Sequence, residues 1–138
     1  RAGQKALAAA GAAPGDVGML VYAGVCRDNL EPATACAVAD GLGVGPGAQV
    51  FDISNACIGI LNGMLQVANA IELGQIRAGL VVGTENARAL VETTIERLNP
   101  DTSLSRRDIK LVVASLTIGS GSAAARSRSC SRDVGKNR

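Results

Sequence analysis

A chain of 138 residues, 47% of them hydrophobic, can build the core of one domain or part of one. With one Tyr, one Phe and no Trp it lacks the aromatic platform on which single-stranded nucleic acid stacks. The formal charge of +2 is local: residues 126–138 hold five of the 14 basic residues and one of the 12 acidic ones, so the rest is slightly acidic and offers no footprint for nucleic acid. The four cysteines form no C-x-x-C pair and there is no histidine, which argues against a zinc site or any other metal centre. A disulfide framework is not expected either, and reduced thiols suit a cytoplasmic protein. No apolar run approaches the roughly 18 residues of a membrane span.

In chain order, residues 2–10 read as the end of an Ala-rich helix closed by Gly11. The chain starts at Arg1 without a cap, as if cut within an element. Pro14-Gly15-Asp16 is a turn, and 17–25 is a buried strand centred on Leu20, Val21 and Tyr22. Pro32 fits the first turn of a helix that runs to about Leu42 and stops at glycines. Residues 49–53 form the next strand. The helix from Cys57 to about Leu73 is apolar on most sides, with a narrow polar stripe of Asn62, Gln66, Asn69 and Glu72, so it is expected to be buried in a core. Gly59 and Gly63 share one side of it and permit close backbone approach. Residues 78–83 form a short apolar strand, and 85–98 carry the spacing of an amphipathic helix. After Asn99-Pro100-Asp101, a short helical piece near 105–110 leads into a final strand over 111–118. Alternating strands and helices imply an α/β layered fold with a mostly parallel sheet. Residues 125–138 are basic and of low complexity. They are expected to form a disordered or artefactual tail after a domain spanning 1–124.

Gly43-Val44-Gly45-Pro46-Gly47-Ala48 fits G-x-G-x-x-A but follows a helix and precedes a strand. A phosphate-binding loop needs the opposite order, because the phosphate rests on the N–H groups that open a helix. No cofactor is expected.

Cys57 is the candidate nucleophile. It stands where a strand hands over to a helix, and the unpaired N–H groups and dipole at a helix start favour thiolate over thiol. The alternative is a small buried hydrophobe, which is how most free cysteines behave. A cysteine nucleophile usually works beside a base, most often histidine. Here another acid or base does that work, or the partner lies outside these residues. Glu31 follows the strand at 17–25, as Cys57 follows the strand at 49–53. If the two strands are parallel neighbours, both residues lie on the rim where α/β sheets build their sites. Glu85, after the strand at 78–83, reaches the same rim. Either carboxylate could equally be a solvated loop residue.

Three runs carry a family resemblance: Phe51-Asp52-Ile53-Ser54-Asn55-Ala56-Cys57-Ile58-Gly59, Gly79-Leu80-Val81-Val82-Gly83-Thr84-Glu85 and Ile118-Gly119-Ser120-Gly121-Ser122-Ala123-Ala124. Over about residues 2–124 the chain resembles the thiolase-fold condensing enzymes, in the β-ketoacyl-acyl carrier protein synthase III branch. Leu30-Glu31-Pro32-Ala33-Thr34-Ala35 and Ser54-Asn55-Ala56-Cys57 look like the OleA type, which condenses acyl-CoA molecules head to head in bacterial olefin and hydrocarbon biosynthesis. The resemblance implies an acyltransferase. Cys57 would take an acyl group from acyl-CoA, and a second acyl-CoA would lose its α-proton to Glu31, reaching across a homodimer. Claisen condensation would then give a β-keto acid. A synthase III initiating fatty acid synthesis from acetyl-CoA and malonyl-acyl carrier protein is the enzyme alternative, and a non-catalytic truncated fragment is the other.

The resemblance also implies absences. Family members are more than twice as long, and the His and Asn of their second half have no counterpart here. The resemblance further implies a partial, N-terminal-half thiolase fold whose central first strand is missing from between the strands at 17–25 and 78–83. Both would then expose ladder edges, and the helix at 57–73 would lie open. The 138-residue chain alone is therefore expected to show neither a cooperative thermal transition by circular dichroism nor condensation of acyl-CoA. A sharp melt together with turnover would overturn that expectation.

Overall fold

The computed structural model describes residues 1–130, and its core is a sheet covered on both faces. Helix α1 (Ala2–Ala9) leads through a 3-10 turn at Pro14–Asp16 into strand β1 (Met19–Ala23). Helix α2 (Thr34–Leu42), strand β2 (Gln49–Ile53), helix α3 (Gly59–Glu72) and strand β3 (Ala78–Glu85) follow. Helices α4 (Arg88–Leu98) and α5 (Arg106–Thr117) form a hairpin before strand β4 (Gly121–Arg128). The strand order is β2-β1-β3-β4, with β1 parallel to both neighbours and β4 antiparallel to β3.

Successive side chains of a strand point to opposite faces, and β1 uses both. Leu20 and Tyr22 join Leu7, Ala35, Ala39, Leu80 and Val82 in a core beneath α1 and α2. Met19, Val21 and Ala23 join Val67, Ala70 and Val81 beneath α3. All five β1 residues are buried, as a parallel strand covered on both faces requires. The expected layered α/β fold with a mostly parallel sheet is the fold observed.

Four expectations change. First, β1 and β3 pair directly, from Met19↔Gly79 to Tyr22↔Val82, so no place for a strand lies between them. The sheet's outer strands are β2 and β4. Second, 111–118 is not a strand. Helix α5 starts at a capping box in which Asp108 N–H donates to Ser105 Oγ (3.4 Å) and Ser105 N–H donates to Asp108 Oδ2 (2.9 Å). The half-buried positions Ile109, Val112 and Leu116 then recur at helical spacing rather than alternating.

Third, the basic run does not begin a tail at 125. Residues Ala125 to Arg128 continue β4, paired with Val81 to Ala78, and Ser129 N–H donates to Arg77 O (2.9 Å). A ladder is made by main-chain groups, so the free side of β3 can hold a segment whose side chains carry no strand signal. The rest of the expected tail, 131–138, lies outside the described residues. Fourth, α3 is not the all-round core helix that its composition suggests but is buried on one face only, the open helix that the resemblance implied for this chain. Gly59, Gly63, Val67 and Ala70 face the sheet, while Leu61 (63% exposed) and Leu65 (56%) lie open on the other side. Among the described residues no helix is long and apolar enough to cross a membrane.

Close approach of α3 to the sheet depends on missing side chains. A Cβ added at Gly63 would stand 2.8 Å from Val81 Cγ1 and 3.3 Å from Val21 Cγ1, both on fully buried residues. One added at Gly59 would meet Ala23 Cβ at an ordinary 3.5 Å. Gly63→Ala should therefore destabilise the full-length protein by about 1–3 kcal/mol through overpacking. Gly59→Ala should cost less, since its Cβ meets only ordinary van der Waals contact and the helix-propensity gain of Ala over Gly, about 1 kcal/mol, is not offset by overpacking. Urea unfolding midpoints of the two variants check the difference.

Candidate active site

The carboxyl ends of β1, β2 and β3 point the same way, and the loop carrying Glu31, the Cys57 turn and Glu85 lie at those ends. β2 ends at Ile53 and α3 begins at Gly59. Between them lies a 3-10 turn, Ala56–Ile58, that carries Cys57. The thiol thus sits just ahead of α3 rather than in its first turn, and it is free and exposed. Within these residues it is not packed among hydrophobes.

The turn is bent by force. Ala56 has φ +42°, the left-handed region that L-residues rarely enter. Such a conformation costs about 1–3 kcal/mol and persists only where its surroundings impose it. One of those surroundings is visible: Asn55 Nδ2 donates to Asn62 Oδ1 at 2.6 Å, tying the strand exit to the first full turn of α3.

Cys57 stands where two clefts meet. One, of about 440 Å³, is walled by Ala23, Ile60 and Gly83 and closed by the Gly119–Ala123 segment leading into β4. The other, of about 330 Å³, is walled by Val25 and Leu90 and by Ala114, Thr117 and Ile118. Ala56, Cys57 and Glu85 line both. Sequence reasoning missed the second wall because it took 111–118 for a strand.

Glu85 is the last residue of β3 rather than a loop residue. Its Oε1 accepts from Val25 N–H (2.6 Å) and its Oε2 from Cys26 N–H (2.9 Å). The neighbouring Cys26 thiol is pushed up by its burial and then by its hydrogen bond and charge interaction with Glu85, so it stays protonated at neutral pH. Tyr22 is likewise raised, first by burial and then by surrounding carboxylates, and its hydroxyl donates to Thr84 O at 2.7 Å. Neither group is ionised at neutral pH.

Glu31 lies on the loop that leaves β1, and it is exposed. Parallel pairing of β1 and β2, ending at Ala23↔Ile53, puts that loop and the Cys57 turn on one rim, as expected. Glu31 is nevertheless absent from the walls of both clefts that hold Cys57. Asp52 was not singled out from the sequence, yet it organises the same loop. From β2 it accepts from Thr34 N–H (2.9 Å) and Ala35 N–H (2.8 Å), capping α2, whose own N-cap is Ala33. Arg27 Nη1 stands 3.6 Å from Asp52 Oδ2. The available signal was a lone acid inside a strand next to a helix lacking a capping side chain. Among the described residues no group of three or more metal-ligating side chains gathers.

An exposed sulfur thus sits on a strained strand-to-helix turn, between two clefts at the carboxyl ends of the parallel strands. The chain belongs to the thiolase family: the family's N-terminal domain profile matches residues 1–128. Within it, the chain is 48% identical to the acyl-CoA:acyl-CoA alkyltransferase of Shewanella oneidensis over 123 residues, 89% of this chain and 35% of that protein. It is 43% identical over 94 residues to the β-ketoacyl-[acyl-carrier-protein] synthase III of Rhodospirillum rubrum, 67% of this chain and 29% of that one. The crystal structure of acetamide-bound Xanthomonas campestris OleA superposes with a TM-score of 0.82 at 38% identity, over 92% of this chain and 39% of that chain. The chain thus spans about a third of the length of these relatives.

The Asp52 cap gives a measurable expectation. Asp52→Ala strips two helix-opening amides of their acceptor and should cost the full-length protein about 1–2 kcal/mol, the usual range for a lost cap. Asp52→Asn keeps one carbonyl acceptor and should lose less. Chemical denaturation of both variants distinguishes a cap from an idle surface acid.

Proposed function

We propose that Cys57 is the acyl-accepting nucleophile of an acyl-CoA condensing enzyme of the OleA type. The observation that carries the reading is the exposed thiol held on a strained turn at the junction of two clefts. Two clefts meeting at one sulfur suit a reaction that brings two acyl groups to one point.

Cys57 Sγ attacks the thioester carbonyl of the first acyl-CoA, CoA leaves as its thiol, and the acyl group stays on the sulfur. The backbone N–H of Cys57 serves as one donor to the developing oxyanion, the kind of preorganised contact that contributes most to acyl transfer. A second acyl-CoA then gives up its α-proton. Thioester α-protons are weakly acidic, so the step needs a positioned base, and Glu31 is the carboxylate assigned to it. The carbanion attacks the acyl-Cys57 carbonyl, a carbon–carbon bond forms, and the cysteine sulfur is released. Hydrolysis of the remaining thioester gives the β-keto acid. Because Glu31 lies outside the clefts of its own chain, delivery to the Cys57 of a second copy in a homodimer is the arrangement we assign.

The likeness to synthase III supports a second reading, in which decarboxylation of malonyl-acyl carrier protein makes the carbanion and no base at position 31 is required. The two separate experimentally. In the full-length protein, Cys57→Ala should abolish the acyl adduct seen by intact-protein mass spectrometry after incubation with acyl-CoA. Glu31→Ala should keep the adduct and lose condensation by a factor of about 100 or more, the usual contribution of a positioned base. Carbon dioxide release from malonyl thioester with condensation unaffected by Glu31→Ala would select the synthase III reading.

A further inference from the structure

The loop from Gly24 to Ala33 leaves the sheet at the end of β1 and returns as α2. Its two ends are fastened in the same way. Near the first end, the N–H groups of Val25 and Cys26 both donate to the carboxylate of Glu85, on β3. At the second, the N–H groups of Thr34 and Ala35 both donate to the carboxylate of Asp52, on β2. β3 and β2 are the strands flanking β1. The loop is therefore slung between two carboxylates, one on each side of the strand it comes from, and Glu31 hangs between them.

We infer that Glu85 is a positioning residue for the condensation step: through its paired hydrogen bonds to Val25 and Cys26 it sets where Glu31 stands. The inference rests on the reading of Glu31 as the α-carbon base. Glu85 itself lines both clefts beside Cys57, which would invite its assignment as the base. Its two oxygens are already each engaged by a backbone amide, at 2.6 Å and 2.9 Å, so it is committed to the loop. Asp52 holds the backbone only at the α2 end and reaches the rest of the loop through the Arg27 side chain at 3.6 Å, whereas Glu85 holds the backbone itself at the β1 end. A proton-transfer geometry tolerates little error, and a displacement of about 1 Å can lower a rate about 100-fold. A base on an exposed loop has no packed element to hold it, so the fastening of that loop governs its accuracy.

Glu85→Gln tests this in the full-length protein. The side chain keeps its length but offers one acceptor oxygen, and its NH2 group faces a backbone donor. Condensation should fall about tenfold or more, and by a clearly larger factor than acylation of Cys57 read by mass spectrometry with acyl-CoA. In a Glu31→Ala background, Glu85→Gln should change the residual condensation by less than about twofold, since it acts through Glu31. Amide exchange should rise at Val25 and Cys26 and stay unchanged at Leu20 to Tyr22 in β1. The inference is overturned if acylation and condensation fall together, if the effect persists undiminished without Glu31, or if protection of β1 is lost as well. If the unaltered protein forms no acyl adduct on Cys57, the condensing reading itself fails, and the inference falls with it. If the adduct forms and only the Glu85→Gln pattern is absent, the reading stands and the positioning role alone is wrong.

Discussion

Parallel pairing of β1 on both sides is the constraint from which the site follows. A strand buried on both faces and hydrogen-bonded along both edges has no freedom of register. Once Met19 stands opposite both Gln49 and Gly79, the ends of three strands lie level. The exits of β1, β2 and β3 then deliver the Glu31 loop, the Cys57 turn and Glu85 to one rim. No residue of the site needs to know about the others during folding, because each is carried there by its own strand.

On that rim, carboxylates serve the backbone before they serve any chemistry. Asp52 and Glu85 each take two amide N–H groups that would otherwise be left without a protein partner at a helix start and a strand exit. Charged acceptors make hydrogen bonds roughly twice as strong as neutral ones, which suits them to hold irregular backbone. Ala56 shows the opposing force. Its positive φ is maintained because β2 on one side and the Asn55–Asn62 contact on the other leave the intervening turn little room to relax. Among the described residues the one non-glycine residue with positive φ is thus the one before the sulfur.

Much of this was legible in the sequence, and the parts that were not have a common cause. The strands read at 17–25, 49–53 and 78–83 and the glycine pair on α3 announce elements that their own side chains specify. The Cys57 turn was legible for the same reason, since its place follows from the strand and helix around it. What escaped was decided by partners distant in sequence. Strand β4 exists because β3 has a free ladder edge, and Ala-Arg-Ser-Arg carries no sign of that. The α5 segment holds five apolar residues between Leu111 and Leu116, which fits a strand as well as a helix until Ser105 and Asp108 cap it. Asp52 and Glu85 act across 17 to 60 residues of chain, beyond the reach of any local pattern. The direct β1–β3 pairing, which contradicted the expectation of a strand between them, is topology that no run of residues displays.

The reversed direction of β4 has one more effect. An antiparallel strand begins where its parallel neighbours end, so β4 enters the sheet at the rim and its lead-in, Gly119 and Ser120, walls the cleft beside Cys57. The α4–α5 hairpin joins Glu85 to that lead-in and walls the other cleft through Leu90, Ala114 and Ile118. The sulfur is supported by β2 and α3, which share no segment with this hairpin. One side of each space beside the thiol therefore comes from segments that do not build its turn: changes in the hairpin's length or side chains can reshape the second cleft while the turn that presents the sulfur is left as it was.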